Sequence, residues 1–208
     1  MSAEAARFAE AFDVSRETLA RLEHFAALLA KWNPAINLVS KATLPQLWTR
    51  HMADSAQLLD LADPAAARWA DLGTGGGFPG LVVAILAAEK RPGLRVTCVE
   101  SDRRKATFLQ NVARETGVDV AVDCARIESL TPLNADVVSA RALAPLDQLV
   151  GLAQRHLAPG GTALFLKGTG HASEVEAALA HWTFRLDTIP SRTDPGSAIL
   201  KIGSITRV

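Results

Sequence analysis

The segment Asp71-Leu72-Gly73-Thr74-Gly75-Gly76-Gly77-Phe78-Pro79-Gly80 puts five glycines into eight consecutive positions. No other stretch limits the possible folds as strongly. Residues 69–72 read as a short strand ahead of it, and 80–88 as an apolar helix behind it. In a strand–glycine turn–helix unit the missing Cβ atoms let backbone N–H groups approach a ligand closely. The helix N-terminus adds partial positive charge suited to a carboxylate or phosphate. Gly75, Gly77 and Gly80 also satisfy the G-x-G-x-x-G spacing of dinucleotide sites, so the glycines alone do not choose the cofactor.

Two acidic residues narrow the choice. Glu100 ends a second strand, 94–100, at the place where a carboxylate accepts hydrogen bonds from both ribose hydroxyls of an adenosine. That fits NAD and S-adenosylmethionine alike. Asp71 stands just before the first glycine and is expected to face a cationic amino acid moiety, which suits S-adenosylmethionine and repels a pyrophosphate. A turn that merely packs helix on sheet needs neither acid.

Downstream, helices and strands alternate. A helix is expected at 103–116, between Asp102 as cap and Gly117. Strands follow at 118–122 and 135–139, then a helix at 146–157, the turn Pro159-Gly160-Gly161 and a strand at 162–167. A helix capped near Ser173 and two strands, 184–189 and 198–202, complete the chain. Such alternation gives a parallel sheet with right-handed crossovers, while the short 190–197 connection makes the last two strands antiparallel. The expected class is α/β: a class I (Rossmann-like) methyltransferase fold, seven-stranded and mostly parallel, ending in an antiparallel hairpin.

Two helical segments precede this region. Ser15 caps the first, with Leu19, Leu22, Ala26 and Leu29 on one stripe and Pro34 as its stop. The second spans 45–61. The chain thus divides into an N-terminal helical cap, 1–64, and a cofactor-binding domain, 65–208, together one compact unit, a division that suits 208 residues.

Composition excludes several classes. Lys+Arg and Asp+Glu both total 22, so bulk charge indicates no nucleic-acid partner, although a local basic face remains open. Cys98 and Cys124 are too few for a disulfide framework or a cysteine zinc site, and both read as small buried core residues. No His pair has zinc-ligand spacing, so no metal is expected. Residues 1–11 carry Glu4, Arg7 and Glu10 and do not read as a signal peptide, and the apolar run 81–88 is under half a bilayer span. A cytoplasmic monomer with no membrane association is the expectation.

The glycine segment resembles the D-[VL]-G-[ST]-G-[AG]-G-F-P-G signature of the RsmG (GidB) family of bacterial 16S rRNA guanine-N7 methyltransferases. Further matches follow the family order: Asn37-Leu38, the R-H-x-x-D-S run Arg50-His51-Met52-Ala53-Asp54-Ser55, Ser139-Arg141-Ala142 and Lys167-Gly168. After the second strand the family often has Asp-Ser with a Lys-Arg pair, whereas this chain has Glu100-Ser101-Asp102-Arg103-Arg104-Lys105. The resemblance implies S-adenosyl-L-methionine as cofactor, in contact with Gly73, Phe78, Ile127, Glu128 and Arg141, beside the Gly75 and Glu100 read from the loop itself. It implies 16S rRNA or the small ribosomal subunit as substrate.

The chemistry suggested by the residues is compatible with that implication. Methylation of an exocyclic adenine amine generally uses an Asn/Asp-Pro-Pro-Tyr/Phe motif after the fourth strand, but that place reads Ser139-Ala140-Arg141-Ala142, and the chain has no tyrosine. Pyrimidine C5 methylation needs a cysteine in the site. Guanine N7 carries no proton, so no general base is needed and catalysis rests on proximity; no catalytic residue is assigned. Arg50, His51, Arg103, Arg104, Lys105 and Lys167 are the candidate RNA contacts. For Arg103–Lys105 a solvated helix face serves as well, and His51 reads as polar packing rather than as a catalyst. An NAD(P)-dependent oxidoreductase using the same loop, or a non-catalytic RNA-binding module, are the competing readings.

Overall fold

In the computed structural model, which describes residues 2–208, the glycine segment lies at the centre of a seven-stranded sheet. Met1, the first residue of the expected cap, lies outside the described residues. Strand β1 (Arg68–Leu72) leads through the glycine turn into α4 (Gly80–Lys90), which is buried from Gly80 to Ala87 because its apolar residues run all round it. Then come β2 (Arg95–Val99), α5 (Arg103–Thr116), β3 (Val120–Asp123), β4 (Ala135–Arg141), α6 (Leu146–His156), β5 (Leu157–Lys167), α7 (His171–Leu179), β6 (Trp182–Pro190) and β7 (Ala198–Arg207).

The spatial order is β3-β2-β1-β4-β5-β7-β6. Strands β1 to β5 run parallel, and β7 is antiparallel to both β5 and β6, as the short β6–β7 connection requires. The order reverses between β1 and β4, which opens the crevice where ligands bind in such sheets. Strand β5 starts earlier than expected, at Leu157, and its register with β4 shifts between Ala135 and Val137. Helix α7 begins at His171, not beside Ser173, whose hydroxyl donates back to the Gly170 carbonyl.

Ahead of the sheet lie α1 (Ala3–Phe12), α2 (Arg16–Ile36), a 3-10 turn at Leu44–Gln46, a π-helix at Leu47–Ala53 and α3 (Asp54–Leu61). Helix α1 was not expected, because its buried residues are only Ala5 and Phe8. It is fixed by Ser2 as N-cap and by Phe8 edge-on to Trp48, 5.5 Å between centroids. Pro34 does not stop α2, which runs two residues further. A proline this close to the end interrupts the ladder only in the last turn, and the helix closes at Asn37, in the left-handed region with its N–H on the Asn33 carbonyl at 3.0 Å. The single helix expected over 45–61 divides into three kinds of turn. Leu22, Phe25, Leu29, Met52 and Leu58 of these elements are buried in one cluster with Leu81 and Ile85 of α4. Among the described residues no helix is long and apolar enough to cross a membrane.

Candidate active site

A cavity of about 1110 Å³ opens over the carboxyl ends of β1, β2, β4 and β5, and the π-helix and the start of α3 contribute part of its wall. Gly73, Gly75 and Phe78 of the glycine turn line it, with Glu100 at the end of β2. Gly75 has φ +58°, a left-handed conformation that glycine adopts without strain, and it directs its N–H to Glu100 Oε2 at 2.9 Å. Glu100 Oε1 accepts the Asp102 N–H at 2.8 Å. Each carboxylate oxygen therefore holds one backbone donor and keeps acceptor capacity for a ligand hydroxyl.

Asp71 departs from expectation. It is fully buried beneath the turn and does not line the cavity, so it faces no ligand ammonium. Oδ1 accepts the Ser139 hydroxyl at 2.6 Å and Oδ2 the Gly80 N–H at 3.0 Å, while Trp69 Nε1 donates to Ser139 at 2.8 Å. A Cβ on Gly80 would lie 2.8 Å from Asp71 Oδ2 and 2.7 Å from Cys98 Sγ, so glycine is required there. Burial pushes the Asp71 carboxyl up to about 6 against the pull of these hydrogen bonds. Asp71 clamps the helix start to β4, and the carboxylate that lines the cavity beside the turn is Glu100.

The upper wall carries Arg50, His51 and Asp54 of the R-H-x-x-D-S run. Arg50 and His51 sit on the π-helix, a rare form that recurs at functional sites. His51 is buried with its ring 5.0 Å from that of Phe78, and neither ring nitrogen has a hydrogen-bond partner within the chain. Burial, reinforced by Arg141 and Arg50, pushes its pKa down to about 3, so it is neutral at physiological pH. Phe78 is itself buried, stacked on Phe25 at 5.2 Å, with the Arg141 guanidinium 5.0 Å from its ring centroid. Packing is thus its main contact, and it reaches the cavity from within that stack. Arg141 also donates to the Arg50 carbonyl at 3.1 Å; burial lowers its pKa to about 10, which leaves it charged.

Asp54, which the sequence offers only as part of the R-H-x-x-D-S run, lines the cavity beside Arg50 and His51. Gln57 Nε2, Ser191 Oγ and Thr193 Oγ1 all donate to Asp54 Oδ1, at 2.9, 3.0 and 3.0 Å. Ser191 and Ser197, from the loop between β6 and β7, line the cavity too; no spacing in the sequence tied that loop to the cap.

Ile127 and Glu128 line the cavity beyond β3, as does Lys105. Arg103 and Arg104, the other two of the basic run, are exposed at the start of α5 and lie outside the lining. Lys167 lines the cavity, yet its ammonium is engaged by Glu174 Oε2 at 2.6 Å and the Ala144 carbonyl at 2.8 Å. That pairing ties the end of β5 to α7 and lessens the charge Lys167 offers a substrate. Cys98 is buried as expected, but Cys124 is exposed, because it follows the last residue of the edge strand β3; neither lines the cavity.

The cavity exceeds what one drug-sized ligand fills. Its β1–β3 half offers the glycine turn and the Glu100 carboxylate. Its β4–β7 half offers Arg141, Arg50, Asp54 and a neutral imidazole. A nucleoside cofactor beside a second, planar substrate fits this division.

The family described as GidB, rRNA small subunit methyltransferase G, matches residues 18–193. Over 196 residues the chain is 56% identical to a ribosomal RNA small subunit methyltransferase G of Ruegeria sp. strain TM1040, covering 94% of this chain and 95% of that one. Another of the same description, from Cereibacter sphaeroides, is 50% identical over 208 residues, all of both chains. Among solved structures, a ribosomal protein L11 methylase of Lactobacillus delbrueckii subsp. bulgaricus superposes with a TM-score of 0.57 at 19% identity, over 72% of this chain and 76% of that one. That likeness establishes the class I methyltransferase fold.

Proposed function

The chain belongs to the GidB family, rRNA small subunit methyltransferase G, and from that premise we propose that it transfers a methyl group from S-adenosyl-L-methionine to N7 of a guanine in 16S rRNA. Membership sets aside the nicotinamide oxidoreductase and the non-catalytic binding module. The observation that carries the cofactor reading is the Gly75–Glu100 pair, a glycine cradle already closed on a carboxylate with spare acceptor capacity. Gly73 and Gly75 would cradle the amino acid moiety and Glu100 the ribose, with Ile127 and Glu128 along the adenine. When bound, the cofactor would supply an electrophilic methyl on a sulfonium, and its transfer to the N7 lone pair would move the positive charge from sulfur to the purine.

This chain's contribution is then to hold and to exclude. With no proton to remove from N7, orienting the two reactants supplies on the order of 7–11 kcal/mol. Neither cysteine reaches the cavity, which speaks against a thiolate-dependent C5 mechanism. The part of the cap that lines the cavity, from Val39 to Asp54, would cover both ligands and present the RNA through Arg50, with Lys105 at the cavity wall and Arg103 and Arg104 beyond it as a phosphate-binding rim. Mapping 7-methylguanosine in 16S rRNA from cells with and without the gene tests the reading. One modified guanine should vanish in the deletion and return on complementation, and an unchanged map overturns it.

A further inference from the structure

Resting on the guanine-N7 reading above, we propose that Asp54 reads the acceptor base, its carboxylate accepting hydrogen bonds from N1–H and the 2-amino group of the guanine.

Placement in the sheet comes first. Glu100 follows β2, whereas the residues that hold Asp54, Ser191 and Thr193, lie between β6 and β7. Strands β1, β4, β5 and β7 stand between β2 and β6. Asp54 therefore belongs to the half of the cavity away from the adenosine cradle, beside Arg141 at the end of β4. A purine whose N7 is turned toward the cradle points its opposite edge, N1 and N2, into that half.

Donor accounting comes second. All three side-chain donors to Asp54 fall on Oδ1, and Oδ2 takes none of them. The carboxylate is fixed through Oδ1, and the residue lines the cavity with Oδ2 free of those donors. Two parallel N–H donors on one base edge match a carboxylate, and guanine is the base that presents them. Adenine sets a lone pair at N1 against it, which repels. Burial raises the Asp54 pKa above the usual carboxylate value, and the Thr193 and Ser191 hydroxyls, with the Arg141 and Arg50 charges behind them, pull it back toward the ionised form.

Charge comes third. Methylation leaves the purine cationic, and a fixed carboxylate at its far edge is worth more in the transition state than in the ground state. This gives the site base choice and rate stabilisation through one group, without a general base.

The test uses the rRNA substrate in whichever form the wild type methylates, ligated to carry guanosine or inosine, which lacks the 2-amino group, at the mapped position. Wild type should methylate the inosine substrate at least about tenfold more slowly. Asp54→Asn keeps an oxygen for Gln57, Ser191 and Thr193 but sets an N–H donor against the guanine. It should be slow on both substrates, with a guanosine-to-inosine preference within about twofold of unity, while calorimetry shows S-adenosylmethionine affinity within about twofold of wild type. Asp54→Glu, which restores a carboxylate, should recover part of the preference. The proposal is overturned if Asp54→Asn keeps the wild-type preference, or if its cofactor affinity falls as far as its rate, which would assign the carboxylate to the cofactor's ammonium. A wild-type product other than 7-methylguanosine removes the guanine-N7 premise, and the proposal with it, whatever the variants do.

Discussion

Glu100 ties two loops together through one carboxylate: Oε2 holds the Gly75 N–H at 2.9 Å and Oε1 the Asp102 N–H at 2.8 Å. The turn after β1 and the start of α5 are thereby set relative to each other before any ligand arrives, so ligand binding does not have to order them.

Glu100→Gln replaces one of those acceptors with a donor. It should weaken S-adenosylmethionine about 10- to 100-fold in calorimetric titration and lower stability by about 1–3 kcal/mol, because a part-buried N–H loses its partner. Unaltered affinity would remove Glu100 from the cofactor site.

Gly75 tests the same place from the other side. A Cβ there meets nothing closer than the Gly73 carbonyl oxygen at 3.8 Å, and Asp and Asn are the residues that best tolerate its φ of +58°. Gly75→Asp should fold, with a melting temperature a few degrees below wild type, yet lose methyl transfer by at least about a thousandfold, since a second carboxylate would crowd Glu100. Gly75→Asn, of the same shape and uncharged, should retain markedly more. Equal loss in both variants would make the effect steric rather than electrostatic.

Asp71 gives the pH dependence a definite sign. Its folded pKa of about 6 lies above the ordinary 3.8, so between those values the folded chain keeps a proton that the unfolded chain has released. Its contribution to stability is largest below about pH 4, falls as pH rises to 6 and levels off above. Asp71→Asn does not titrate. The urea-derived stability of wild type relative to Asp71→Asn should therefore fall by up to roughly 3 kcal/mol between pH 4 and 7. Parallel pH curves would show that the charge is not confined as the burial of Asp71 implies.

Arg103 and Arg104 lie outside the cavity, so their effect should be on RNA and not on the cofactor. Replacing both with Ala should reduce the slope of log affinity against log salt by about one to two units, with S-adenosylmethionine binding unchanged. An unchanged slope would leave them as a solvated helix face.

From β1 onward the order of elements, the glycine turn with a glutamate at the end of the next strand, and the terminal hairpin follow from the sequence alone, because each rests on local signals: period, turn chemistry and a connection too short to cross over. The R-H-x-x-D-S run was visible as a motif, but its parts were not sorted. Asp71 and Asp54 show why. Both are acids in recognisable motifs, and the motif gave the cofactor-facing place to Asp71. Tertiary packing decided otherwise: β4 brings Ser139 against Asp71 and buries it under the turn, while the β6–β7 loop, 137 residues from Asp54 at Ser191, fixes that carboxylate in the cavity wall. Lys167 is matched by Glu174, and Cys124 is left exposed beyond an edge strand, for the same reason. Sequence determines what each segment prefers; which charges end up buried, paired or open to a ligand depends on contacts between segments far apart in the chain, and only the folded sheet with its cap settles those.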